Sequence, residues 1–163
     1  MSREIVGLFL LFLGQQPTWL SWDAAAKVAT IALTAGATSA NSKWNFNGAS
    51  HGGLTITVPL GSKVVIEFSN NDAANAHSVG VVVPKQPIPG SGDGMAFMSP
   101  TAFTVPFVRG TPRGKTERLE FQATTAGSYW LFCGVPPHGT GGMYVNFVVS
   151  KTAKAPSAVS RKT

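Results

Sequence analysis

Leu54-Thr55-Ile56-Thr57-Val58-Pro59-Leu60-Gly61-Ser62-Lys63-Val64-Val65-Ile66-Glu67-Phe68-Ser69 alternates apolar and polar residues on both sides of a turn. Leu54, Ile56 and Val58 share one face and Thr55 and Thr57 the other; Val64, Ile66 and Phe68 then alternate with Lys63, Val65, Glu67 and Ser69. A period of two places one face on a core and the other in water, so both halves read as half-buried strands. Working outward, Val28, Thr30, Ala32 and Thr34 oppose Ala29, Ile31 and Leu33, and Leu119 and Phe121 alternate with Arg118, Glu120 and Gln122. Pro59-Leu60-Gly61, Asn70-Asn71-Asp72 and Ala126-Gly127 punctuate these runs as turns. His77–Val83, Ser128–Cys133 and Met143–Val149 are apolar on both faces and read as central strands. About seven or eight strands without a convincing internal helix predict an all-β fold, an antiparallel Greek-key β-sandwich.

The 163 residues fit one domain. Charged residues make up 12% and apolar residues 44%, the reverse of the balance that keeps a chain disordered. A single Cys excludes an internal disulfide and a CxxC zinc site. The net charge of +6 is unevenly spread, because Lys151, Lys154, Arg161 and Lys162 lie in residues 151–163, which hold no acid. Residues 1–150 carry nine basic and seven acidic side chains. No basic face with interleaved aromatics lies within the domain, so nucleic acid is excluded as a partner and 151–163 reads as a solvated basic tail.

Residues 1–22 open with nine apolar residues, Ile5 to Leu13. A membrane-spanning helix needs about 20, whereas the apolar centre of a secretory signal needs about 7–15. The segment predicts export, a short anchor when extended through Trp19, Leu20 and Trp22, or a piece that packs on the domain. The domain itself is expected over 23–150. Within it, residues 84–116 hold six Pro and five Gly together with Met95, Phe97, Met98, Phe103 and Phe107. So long a loop is usually functional or disordered. Its aromatics and methionines offer surface to bury and predict an ordered excursion covering one side of the sandwich.

Chemistry concentrates in Cys133-Gly134-Val135-Pro136-Pro137-His138-Gly139-Thr140-Gly141-Gly142-Met143, where a thiol, an imidazole and a thioether follow at equal steps of five. The stretch runs from the end of one apolar strand to the start of the next, so a Pro- and Gly-rich loop can fold the three side chains onto one point. His77 opens another apolar strand and supplies a second imidazole. Two imidazoles, a thiolate and a distant thioether form the blue-copper donor set, three in a plane with a weak axial Met. Zinc has no use for the thioether. Taken singly, a strand Cys is a small hydrophobe and Met143 a core residue; taken jointly they predict a metal site. His51, in His51-Gly52-Gly53, reads as a turn histidine, and Met95 and Met98 as loop packing.

Over roughly residues 27–150 the chain resembles the cupredoxins, the sulfocyanins in particular. The resemblance is carried by Phe46-Asn47-Gly48, by Leu54 to Pro59, by His77-Ser78, and by Phe132-Cys133-Gly134-Val135-Pro136 through His138 to Gly142-Met143-Tyr144. Cys-x4-His-x4-Met is also the spacing of rusticyanin. Thr140-Gly141 departs from the common loop, and Pro137 stands where Gly is usual, which should stiffen the loop without removing a donor. The resemblance implies one type 1 copper ion held by His77, Cys133 and His138 with Met143 axial, and Ser78 bonded to the ligand loop. It further implies an extracytoplasmic protein, often membrane-anchored in acidophilic prokaryotes, exchanging electrons with a respiratory complex or terminal oxidase.

Three histidines, two of them committed, cannot build a further copper centre, so the expectation is a one-electron carrier and not an enzyme. No residue from Ser128 to Ser150 is charged, and Trp130, Phe132, Val135, Tyr144 and Phe147 line this stretch. A dry shell penalises the more highly charged oxidised state and predicts a high potential. Pro136, Pro137, Gly139 and Gly141-Gly142 beside His138 predict a flat, uncharged exit through the imidazole edge and a transient redox partner. Seven acids leave few carboxylate interactions to lose on acidification, so acid tolerance is expected. The competing readings are a copper chaperone or sensor, which usually exposes several Cys or Met, and a metal-free adhesive sandwich, which would ignore copper. A monomer is expected.

Overall fold

A computed structural model describes residues 16–161. Nine strands form two sheets among these residues: β1 Leu20–Asp23, β2 Val28–Ala35, β3 Leu54–Pro59, β4 Lys63–Asn70, β5 Gly80–Val82, β6 Thr116–Gln122, β7 Gly127–Phe132, β8 Tyr144–Ser150 and β9 Ser157–Ser160. One sheet runs β1-β2-β4-β6 and the other β5-β7-β8-β3-β9. The period-two faces meet between them. Ile31, Leu33, Val64, Ile66 and Phe68 of the first sheet pack with Ile56, Val58, Leu131, Val145 and Phe147 of the second, all fully buried. Each such side chain stabilises the fold by roughly 1.5–3 kcal/mol relative to exposure.

The β-sandwich is as expected, with one difference in its pairing. β2 lies parallel to β4 and β3 parallel to β8, whereas the remaining pairs are antiparallel. Alternation fixes which face of a strand is buried but carries no information on the direction of its partner. β3 and β4, joined by Leu60 to Ser62, are therefore not a hairpin; they belong to opposite sheets.

Strand pairing also occurs near both ends of the described residues. Leu20 to Asp23 pair with Val28 to Ile31, and Leu20 is buried. Part of the supposed basic tail is an edge strand, since Ser157 to Ser160 pair with Leu54 to Thr57. Lys151 and Lys154 remain exposed. The apolar run Ile5 to Leu13 lies outside the described residues, and among those described no helix is long and apolar enough to cross a membrane.

The His77–Val83 run is also shorter and less central than expected. Only Gly80 to Val82 form β5, at the edge of its sheet. It is buried because the 84–116 excursion covers it: Phe103 bridges to Gly80, Phe97 to Val82 and Thr111 to His77. Met95, Phe107, Trp130 and Phe132 form a second apolar cluster beneath that cover.

Candidate metal centre

β7 and β8 end in the pair Phe132–Tyr144, and the next residues, Cys133 and Met143, continue the ladder through Cys133 N–H to the Met143 carbonyl at 3.1 Å. Between them the chain closes in tight turns, with His138 N–H bonded to Val135 O at 2.8 Å and Met143 N–H to His138 O at 2.9 Å. The steps of five thus become two turns that return His138 to the Cys133–Met143 rung. His77 arrives from the segment before β5.

The donor atoms converge. His77 Nδ1 lies 3.2 Å from His138 Nδ1, and Cys133 Sγ lies 3.9 Å from the first and 3.4 Å from the second. His77, Cys133 and Met143 are fully buried and His138 is 3% exposed. Metal–nitrogen bonds of about 2.0 Å and metal–sulfur bonds of about 2.3 Å arranged in a plane require donor separations of roughly 3.5–3.8 Å. The observed triangle fits a single soft cation with little adjustment. Met143 completes the buried cluster from the loop's end.

Ser78 lies between the His77 segment and the ligand loop. Its N–H donates toward Cys133 Sγ at 3.4 Å, and its hydroxyl accepts the Gly134 N–H at 2.8 Å, tying the His77 segment to the ligand loop. His51 is outside the cluster, exposed in a turn against Gly142. Met95 and Met98 pack in the excursion and the core.

Two participants escaped the sequence reading. The first is Asp72, fully buried, whose Oδ2 lies 3.0 Å from His77 Nε2. Burial pushes this carboxyl up, but the Ala74 N–H, the Asn75 amide and His77 outweigh it and hold it down to about 2. Asn70 organises the turn, accepting Asp72 N–H at 2.8 Å and donating to the Asn75 and Thr111 carbonyls. Gly36, at φ 65°, lets Asp72 approach, since a Cβ there would lie 2.9 Å from Asp72 Cβ. As acceptor of the Nε2 proton, Asp72 leaves the Nδ1 lone pair of His77 facing the site. An uncharged shell therefore holds for 128–150 but not for the whole centre.

The second is Trp44, whose ring lies 4.3 Å from that of His138 between centroids. It corrects the expected open imidazole edge: at 3% exposure His138 does not form a surface. Pro136, Pro137 and Thr140 are exposed nearby, but the imidazole is covered. Asn41, Ser42 and Lys43, all left-handed with φ of 49°, 54° and 69°, turn the chain so that Trp44 lands there. That conformation costs roughly 1–2 kcal/mol for each L residue, somewhat less for Asn.

Burial depresses the imidazoles. His77 falls below the ordinary value by desolvation, partly opposed by Asp72, and His138 falls to about 4 by desolvation and then by the charge of His77. Desolvation also raises the Cys133 thiol to about 11, so metal capture must displace its proton. In the unfolded chain His138 takes its proton near 6.5, so between that value and about 4 the unfolded state binds more protons. Stability of the copper-free fold is complete above 6.5 and falls as pH drops toward 4, by about 3 kcal/mol at 1.36 kcal/mol per unit. Urea unfolding of copper-free protein at pH 7 and pH 4 measures this, and His138→Gln flattens it; equal slopes for both proteins would refute the assignment.

The Sulfocyanin (SoxE) domain model matches residues 16–160. The chain belongs to the sulfocyanin family. It is 29% identical over 143 residues to a sulfocyanin of Sulfolobus acidocaldarius, covering 85% of this chain and 71% of the relative. Its fold is similar to rusticyanin from Thiobacillus ferrooxidans (TM-score 0.51, 19% identity, 81% of this chain and 88% of that one). It is also similar to auracyanin from Roseiflexus castenholzii (TM-score 0.53, 21% identity, 74% and 96%). As a sulfocyanin-family cupredoxin, the chain is a blue copper electron-transfer protein whose cofactor is one type 1 copper ion and whose partners are redox proteins.

Proposed function

We propose that His77 Nδ1, Cys133 Sγ and His138 Nδ1 hold the copper ion, with Met143 as a weaker fourth donor and Ser78 fixing the thiolate. The reading rests on one observation: three buried ligand atoms from two chain segments lie within 4.8 Å of one another. The ion supplies a one-electron couple; the protein supplies a cage that resists rearrangement, because the loop is bonded into the β7–β8 ladder and His77 into the Asp72 turn. Copper titration tests this: a visible charge-transfer band should saturate at one equivalent of Cu(II) and bleach with one electron. Saturation at another ratio, or no band, would remove the assignment.

The chain acts as a carrier and not an enzyme, outside the cytoplasmic membrane, between respiratory redox partners, as a monomer attached to or released from the membrane by its N-terminal segment. Burial of every donor argues against a chaperone, which must present its metal for transfer. Asp72, held down to about 2, stays ionised in acid and supports work at low pH. The exposed Pro136, Pro137 and Thr140 offer a partner no charge, so association should change only slightly between low and physiological salt. Stopped-flow rates at several ionic strengths check this, and a steep salt slope would contradict it.

A further inference from the structure

His138 is sealed, yet an electron carrier must place its redox centre within tunnelling reach of a partner. Trp44 resolves the conflict. Its indole contacts His138 at a 4.3 Å centroid distance on one side and is itself only partly buried. The contact is built rather than incidental. Asn41 Nδ2 donates to the Trp44 carbonyl at 2.9 Å and to the Gly141 carbonyl at 2.8 Å, clamping the indole-bearing turn to the ligand loop. Asn45 Nδ2 closes the same turn on Thr38 O and Ala40 O at 3.0 and 2.7 Å. Residue 141 is glycine where a Cβ would run into Cε3 and Cζ3 of the indole. Three consecutive left-handed residues are maintained to deliver this one ring, and stored backbone strain of that kind concentrates at functional positions.

We propose that Trp44 is the exchange surface of the redox centre. Electrons pass between His138 and a redox partner through the indole, and the partner docks against Trp44 and not against the imidazole. One electron leaves the partner and arrives at the centre, or the reverse. The indole lends orbital overlap without being oxidised, and no proton moves. The inference rests on the copper reading above and adds the port through which that centre is reached.

Copper-loaded Trp44→Leu and Trp44→Phe proteins test it. Leucine keeps the site covered but removes the conjugated ring, so electron self-exchange between reduced and oxidised protein should slow by about tenfold or more, while phenylalanine retains most of the rate. Both variants should keep the one-equivalent visible band and an unchanged potential. A lost band would count against the copper reading itself; a retained band with leucine exchanging as fast as wild type would overturn the role of Trp44. Copper-free protein gives a separate readout, because diethyl pyrocarbonate should modify His138 slowly in the wild type and readily in Trp44→Ala. Ready modification of the wild type would show that Trp44 does not seal the imidazole and would defeat the proposal.

Discussion

Cys133→Ser protein should fold, bind copper weakly and show none of the intense visible absorption. The hydroxyl is smaller and still has the Ser78 N–H as partner, so the fold should lose only about 1–2 kcal/mol. The chemical loss is far larger. The thiolate is the one anionic donor and the only soft atom in the triangle, and sulfur-to-copper charge transfer has no oxygen equivalent. Affinity for Cu(I) should drop by roughly a thousandfold or more, about 4 kcal/mol. Competition with a chromogenic Cu(I) chelator measures the affinity and absorption spectroscopy the band. His51→Ala is the control, since His51 lies outside the triangle and should leave both unchanged. A Cys133→Ser protein that stays blue would mean that the donor set has been misplaced.

Asp72→Asn should raise the reduction potential. Thiolate and carboxylate together bring two negative charges, which balance Cu(II) and leave the reduced centre with an excess of one. The buried carboxylate therefore favours the oxidised form and opposes the dry apolar shell, which favours the reduced form. Asparagine keeps an oxygen to accept the His77 Nε2 proton at the same 3.0 Å contact while removing the charge. A rise on the order of 100 mV is expected, about two tenfold steps at 59 mV each for a one-electron couple. With its oxygen at that contact, which the Asn75 amide shares, the amide nitrogen faces the Ala74 N–H, which should cost about 1–3 kcal/mol of stability. Spectroelectrochemical titration beside urea unfolding separates the two effects. An unchanged or lower potential would show that the Asp72 charge is not felt at the centre.

The donor loop was legible because its information is local. Cys133, His138 and Met143 sit at fixed steps between two strands whose pairing runs through Phe132 and Tyr144, so spacing and geometry are nearly the same statement. The strands were equally legible from period two. Asp72 was not, because Asn70-Asn71-Asp72 is a turn by composition; its second task appears only when His77 lies over it. Trp44 was hidden in the same way, since nothing in Lys43-Trp44-Asn45 announces that three residues before it turn left-handed and aim it across the molecule. Parallel pairing and the β9 edge strand escaped because both depend on which distant segment arrives alongside.

The parallel rungs joining Thr55 to Asn146 and Pro59 to Ser150 impose an order on biogenesis. A ribosome or translocation channel releases Thr55 long before its neighbour exists, so the second sheet remains open until Asn146 to Ser150 have emerged. His77 meets Cys133 only at that late stage. The three donors therefore cannot enclose an ion together before that closure.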